Sequence, residues 1–191
     1  MHQPHRPALA QPPRRGFTAI ELMVTLAVLA TLAALSAPSF KPLLQRWRVG
    51  NTVEQLKATL YFARSEAIKR GGHVTIQKLA SGTNGCTIED DTKTSWDCGW
   101  IVCQDNNANG KCTAGEPVLQ RVNTPTGVQV SRTGGADSIK LNRWGLVDGA
   151  WLGFSIVPAS ESTANPAAQG LCMSTGGRIR VIPSEDIPCT N

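Results

Sequence analysis

Residues Arg14 to Ala37 read RRGFTAIELMVTLAVLATLAALSA, a basic doublet and a glycine, then a long apolar run broken by one carboxylate. From Phe17 to Ala37 there are 21 residues, and Glu21 is the only charged one. A nearly uncharged apolar run of about 18 residues or more is long enough to span a bilayer as a helix. A carboxylate near the centre of such a span costs about 2.5–3.5 kcal/mol on insertion scales. Nearer the end the cost is smaller, yet the side chain still calls for a partner, and a positive charge on a neighbouring subunit would serve.

Three plainer readings fit less well. A secretory signal has a shorter apolar region and small residues at its cut site, whereas Leu35-Ser36-Ala37 puts leucine where a small residue belongs. Arg14-Arg15-Gly16-Phe17 suits a twin-arginine export signal, but Glu21 would then have no purpose. A plain anchor leaves the spacing of glycine, phenylalanine and glutamate unexplained. The stretch Gly16-Phe17-Thr18-Ala19-Ile20-Glu21-Leu22-Met23-Val24 resembles the processing and assembly motif of type IV pilins and of the pseudopilins of type II secretion. The resemblance implies that prepilin peptidase cuts between Gly16 and Phe17, that Phe17 is then N-methylated, and that Glu21 assists assembly into a helical filament. A freed α-amino group on Phe17 of an adjacent subunit is a suitable cation for Glu21 among apolar helices, where pairing matters most.

Composition changes once residues 1–16 are set aside as a leader. That segment carries Arg6, Arg14 and Arg15 and no acid, so its removal lowers the formal charge from +5 to +2. Seven basic side chains stand against Glu54 and Glu66 between Lys41 and Arg70, whereas from Gly71 onward nine basic face eleven acidic ones. Any anion site on the distal part must therefore be local. The basic residues of 41–70 read most simply as a solvated helix face. Orientation by charge is nearly a tie, with Arg14 and Arg15 before the run and Lys41, Arg46 and Arg48 after it. Cysteines break the tie. Cys86, Cys98, Cys103, Cys112, Cys172 and Cys189 all follow the run, an even number suited to disulfides in an oxidising compartment. No C-x-x-C pair occurs and only His73 remains after the leader, so zinc is not implied. The expected location is the inner membrane, crossed once, with the distal part in the periplasm, and then a pilus or pseudopilus.

Pro38 and Pro42 predict a kink or short break. Helical spacing resumes with Val49, Val53, Leu56, Leu60, Ala63 and Ala67 on one face, and Gly71-Gly72 is a stop signal. Beyond it, short alternating runs and frequent turn residues argue for antiparallel β structure. Candidate strands are His73–Leu79, Gly99–Gln104, Val118–Val122, Val128–Ser131, Ser138–Asn142, Trp151–Val157, Leu171–Ser174 and Arg178–Ile182, with 160–168 as a loop. A helix followed by many short strands is the layout of the GspH/FimT branch of pseudopilins and minor pilins. The runs Cys98-Gly99-Trp100-Ile101-Val102, Asp105-Asn106-Asn107-Ala108-Asn109-Gly110 and Gly115-Glu116-Pro117-Val118-Leu119 resemble a central motif of that branch. The predicted fold is α+β, a long N-terminal helix packed on a sandwich-like antiparallel pilin domain. Its expected parts are a leader (1–16), a membrane and assembly helix (17–37), a periplasmic amphipathic helix (38–70) and a β-rich domain (71–191).

Asp105, Asn107, Asn109, Gly110 and Glu116 satisfy the spacing of a calcium loop. Only Asp105 and Glu116 are anionic, Lys111 adds a positive charge, and the flanks read as strands. A polar hairpin held by Asn and Gly turn chemistry is the favoured reading, with no metal and no cofactor. Catalysis has little to draw on, since no HExxH, G-x-S-x-G or P-loop motif occurs, and neither enzymatic activity nor a small-molecule substrate is expected. Of about 15 possible cysteine pairings, sequence proximity and hairpin geometry favour Cys86–Cys98, Cys103–Cys112 and Cys172–Cys189.

In Gly176-Gly177-Arg178-Ile179-Arg180-Val181, a strand period of two puts Arg178 and Arg180 on one face. Two guanidinium groups there suit phosphate oxygens, while an edge strand protected by charge explains them equally well. Gly177-Arg178-Ile179-Arg180 is similar to the C-terminal G-R-x-R element of FimT-type minor pilins, and the resemblance implies DNA binding for uptake in transformation. Lys140, Arg143 and Arg132 are candidate auxiliaries, and Trp144 and Trp151 are candidates for stacking on unpaired bases. Expected partners are prepilin peptidase, inner-membrane lipid, other pilins or pseudopilins, and DNA. A GspH-like pseudopilin without DNA binding is the alternative. Intact-mass measurement of membrane-extracted protein is expected to show a chain that begins at methylated Phe17; a start near Pro38 would refute the processing site. Glu21→Ala is expected to spare membrane insertion and impair filament incorporation.

Overall fold

The computed structural model describes residues 16–88, 91–123, 125–149 and 151–190, and at 35–39 the helical backbone without its side chains. The expected leader therefore lies outside the described residues up to position 15. The chain divides into two units, residues 1–40 and 41–191.

The first unit holds the start of helix α1, Ala19–Arg70. Thr18 and Glu21 close that end reciprocally. The Glu21 carboxylate accepts from the Thr18 backbone N–H and from its hydroxyl, each at 3.0 Å, while the Glu21 N–H donates to Thr18 Oγ1 at 3.3 Å. This is a capping box, which satisfies amides that a helix terminus otherwise leaves without partners. The apolar side chains of Ile20, Leu22, Met23, Val24, Leu26, Val28, Leu29 and Leu32 are all exposed. A helix apolar on every side has no face that prefers water, so it requires lipid or other helices around it. Side chains of the expected span are described only to Ala34, and among the described residues no helix is long and apolar enough to cross a membrane.

Of the kink or short break expected at Pro38 and Pro42, the break is absent, since α1 runs continuously from Ala19 to Arg70. A proline deletes one helix hydrogen bond and strains its own turn, a local loss of ~3 kcal/mol. Beyond Pro42 the helix is held by burial. Val49, Val53, Leu56, Leu60, Ala63 and Ala67, the stripe expected from their spacing, are all buried. Each large side chain so buried contributes about 1.5–3 kcal/mol relative to leaving it in water. The helix ends where the sequence places its stop, with the Gly72 N–H donating to Ala67 O at 2.7 Å.

Eight strands follow: β1 (Val74–Lys78), β2 (Trp100–Gln104), β3 (Val118–Val122), β4 (Val128–Thr133), β5 (Ser138–Leu141), β6 (Leu152–Pro158), β7 (Gln169–Met173) and β8 (Ile179–Pro183). All eight expected strands are present, with bounds that move by no more than two residues. They form two four-stranded sheets, in the orders β3-β2-β1-β5 and β4-β6-β7-β8, and each pair is antiparallel. Both sheets and the helix stripe feed one core that includes Ile76, Val102, Ile139, Phe154, Ile156 and Leu171. Trp96 stacks edge-on against Phe154 with ring centroids 5.1 Å apart. This is the α+β architecture that the sequence predicts.

The three disulfides are Cys86–Cys98, Cys103–Cys112 and Cys172–Cys189, with Cα separations of 5.5, 5.7 and 5.7 Å. Closing a loop of ~15 residues contributes about 3 kcal/mol in the chain-entropy account.

A polar bond ties the helix to the first sheet inside the core. Trp100 Nε1 donates to Thr59 Oγ1 at 3.0 Å, with both residues fully buried. Thr59→Val keeps the volume but strands the indole N–H, and is expected to destabilise the protein by about 1–3 kcal/mol in chemical denaturation.

Candidate nucleic-acid interface and processing end

The described residues of the expected processing motif are exposed. Gly16, Phe17 and Thr18 precede the helix in non-helical backbone, and Phe17 is 87% exposed. Glu21 lies three residues into the helix and is engaged by Thr18. Capping is a role for Glu21 that the motif reading passed over, although Thr-x-x-Glu before an apolar run signals it.

At the other end, the β7–β8 hairpin turns through Ser174–Gly177, closed by the Gly177 N–H to Ser174 O at 2.8 Å. Gly177 then takes φ 82°, the left-handed residue that a turn of this kind demands. The Ser174 N–H donates to Arg178 O at 2.9 Å, and Arg180 pairs with Cys172. Cross-strand partners share a face, so Ser174, Arg178, Cys172 and Arg180 lie on one side of the hairpin. Ile179 pairs with Met173 and Val181 with Leu171, on the side of the buried core. The alternation read from the sequence is therefore present. Val181 stays exposed because β8 is the last strand of its sheet. Arg178 and Arg180 are exposed, and among the described residues neither guanidinium has a hydrogen-bond or ion-pair partner.

Arg64 of α1 holds this turn. Its Nη1 donates to Gly177 O at 2.5 Å. A Cβ on Gly177 would come within 2.7 Å of Arg64 Nη2 and 2.9 Å of Leu146 Cδ2, so the turn is packed tightly as well as hydrogen-bonded. The turn at Asn142–Gly145 lies against the same stretch of helix, since a Cβ on Gly145 would sit 3.1 Å from Arg64 O. That turn carries exposed Arg143 and Trp144, the latter 72% exposed. Arg64 thus stands between two turns that bear Arg143, Trp144 and Arg178. Sequence reasoning had placed Arg64 on a solvated face. Its position, four residues after Leu60 and three before Ala67, marks it as the rim of the buried stripe.

The other auxiliaries are occupied elsewhere. Lys140, on β5 of the first sheet, donates to Ala108 O at 3.2 Å. Arg132 is half-buried and its Nη1 donates to Ala136 O and Ser138 O at 2.8 and 2.6 Å. Burial pulls its pKa below the ordinary value, with Asp137 opposing the shift. Trp151 lines a cavity together with Arg180.

In the calcium-like loop the acceptor oxygens are taken by backbone amides. Asp105, fully buried, accepts from the Asn109 and Gly110 N–H groups at 3.0 and 2.8 Å. Asn107 Oδ1 accepts from the Asn109 N–H at 3.0 Å and Asn109 Oδ1 from the Lys111 N–H at 2.8 Å. Glu116 accepts from the N–H groups of Asn106 and Thr113, each at 2.8 Å. Among the described residues no group of three or more His, Cys, Asp or Glu side chains is arranged to hold a metal. The loop is built as an Asx-turn hairpin.

Residues 12–37 match the prokaryotic N-terminal methylation motif, and residues 52–181 match the family described as type II transport protein GspH. The second match takes in most of the chain, and the protein belongs to that family of type IV pilin-like proteins. Pilin-like protein PilA1 of Thermus thermophilus is 29% identical over 103 residues, 54% of this chain and 56% of that protein. The chain thus spans little more than half the length of that curated relative. Two crystal forms of the type IV minor pilin FimU of Pseudomonas aeruginosa share the fold at 20% identity. Their TM-scores are 0.55 and 0.53, over 76% and 74% of this chain and 96% and 98% of theirs.

The Glu116 carboxyl is held below its ordinary value of 4.5, first by the Thr113 N–H, with burial opposing. A depressed carboxyl stabilises the loop above the ordinary value, and the contribution is lost as the pH falls through the folded value. Exchange protection of the Asn106 and Thr113 amides is expected to be full at neutral pH and to decline below 4.5. Glu116→Gln is expected to lower the same protection at neutral pH. Gly177→Ala forces a side chain into the left-handed region and onto Arg64, and is expected to cost at least about 1–2 kcal/mol in thermal unfolding.

Proposed function

We propose that the chain is a minor-pilin subunit that assembles with other pilins in a type IV pilus-like filament and binds DNA through Arg178 and Arg180. Prepilin peptidase cuts between Gly16 and Phe17, Phe17 is N-methylated, and Glu21 pairs with a neighbouring subunit during assembly. Before assembly the run 17–37 lies in the inner membrane, and the segments 38–70 and 71–191 are periplasmic. The 21-residue run with one charge supports the membrane placement, and the methylation-motif match supports the processing. The subunit is structural, with no catalytic role.

The observation that carries the DNA reading is the pair of exposed, unpartnered guanidinium groups on one face of an edge hairpin. Arg64 and the Cys172–Cys189 disulfide hold that hairpin from two sides. Guanidinium groups fixed in this way suit phosphate oxygens, and Gly177 gives the backbone room to turn between them and the helix. With few cations the affinity is weak, falls with salt and has little sequence preference. A pseudopilin of type II secretion, without DNA binding, is the second reading, and the GspH family match favours it.

Arg178→Gln with Arg180→Gln deletes both charges at similar size on exposed positions. The full chain in neutral detergent micelles is expected to keep its thermal stability and lose low-salt DNA binding. The unmutated protein should show a log–log salt slope of about two, near 0.9 for each of the two phosphates contacted. Undiminished binding by the double variant would leave the secretion reading standing.

A further inference from the structure

A cavity of about 470 Å³ opens on the face of the β7–β8 hairpin that carries the arginines, lined by Trp151, Cys172, Met173, Ser174, Arg180 and Thr190. Its size falls within the range of small-ligand sites, roughly 300–1,000 Å³. Among the described residues its lining, which also includes Thr175, has one charge, the Arg180 guanidinium, and no carboxylate. The walls are fixed. Trp151 immediately precedes β6, whose first residue Leu152 pairs with Met173. Cys172 is tied to Cys189, next to Thr190. Gly153, opposite Cys172, has no room for a side chain, since a Cβ there would lie 2.9 Å from the Trp151 ring and 3.1 Å from Cys189 Sγ. That close approach sets the indole beside the disulfide as one wall of the cavity.

We propose that this cavity is a nucleotide site that takes one unpaired base of a DNA strand against Trp151, while Arg180 and Arg178 hold the flanking phosphates. The inference rests on the proposed DNA binding and adds strandedness to it. A base within a duplex is covered on both faces by its neighbours, so only an unpaired base can offer a face to an indole in a recess. Arginines on an open surface would by themselves favour the duplex, which has the higher charge density. An aromatic wall beside an exposed guanidinium adds a term that only an unpaired strand can use. Ser174, Thr175 and Thr190 supply hydroxyls of either hydrogen-bonding sense, so the site tolerates different bases.

The test compares an oligothymidine strand with a dumbbell duplex closed at both ends by non-nucleotide linkers and of equal phosphate count, each binding to the full chain in neutral detergent at low salt. The parent is expected to bind the single strand more tightly. Trp151→Leu is expected to weaken single-strand binding by about 5- to 150-fold, the range that stacking of one base supplies. Dumbbell binding should stay unchanged and so report that the variant is folded, and Trp151→Phe should retain most of the affinity. A strand carrying 5-iodo-deoxyuridine should photo-crosslink to Trp151 in the unmutated protein, a readout that needs no variant. Unchanged single-strand affinity in Trp151→Leu, or crosslinks mapping elsewhere, overturns the base site. If the dumbbell still binds and still depends on Arg178 and Arg180, the DNA reading survives that loss. If the parent binds neither ligand, the DNA reading itself fails and the base site falls with it.

Discussion

Burial of one helix stripe, Val49 through Ala67, is the constraint on which the rest of the second unit depends. Strands of five residues or so cannot hold a sheet in water without a covered face. Here the inner faces of both sheets share their cover with α1, and the core residues of all three form one cluster. The stripe also fixes the rotation of the helix about its axis, and with it the positions of the residues on its rims. Thr59 lies within the buried face and meets the Trp100 indole, and Arg64 lies at the edge and reaches the Gly177 carbonyl.

The arginine hairpin gains its order from that rim. An exposed edge hairpin with a glycine-rich turn would ordinarily be mobile, because few contacts offset the entropy of ordering it. Arg64 and Leu146 hold the turn from the core side, and the Cys172–Cys189 disulfide ties β7 to the C-terminal segment. Ordering the backbone first lowers the entropy that a bound phosphate must offset, which is why a small cluster of charges is a credible basis for the proposed DNA contact. Lys140 and Arg132, candidate auxiliaries by sequence, are committed to carbonyls elsewhere. Charge counted along the chain overstates what the surface offers.

The N-terminal unit shows one carboxylate with two calls on it. Glu21 caps its own helix through Thr18. In the proposed filament the same carboxylate meets a neighbour's amine, so assembly exchanges or shares a capping interaction for a charge-assisted one. The exchange is favourable because a helix N-terminus surrounded by apolar side chains gives an anion little water to return to.

Most of the architecture was legible along the chain, for a simple reason. Helix and strand periods are local properties, so the stripe from Val49 to Ala67, the stop at Gly71-Gly72 and all eight strands could be read from residue spacing. The disulfide pairing was legible too, because each pair closes a short loop. Of the kink or short break expected at Pro38 and Pro42, the break is absent, because a proline's cost is local and burial beyond it is not. The arginine pair could be named from sequence, but its surroundings could not. Arg64 and Gly177 are 113 residues apart, and the meeting of Trp151 with Arg180 across one cavity follows from strand register and the close approach at Gly153. The sequence by itself determined the pilin-like helix, the β-rich domain and the N-terminal methylation motif, since each is written in adjacent residues. Only the tertiary structure decided which cations remain free and which aromatic stands beside them, since a side chain's partners depend on what the rest of the chain brings to it.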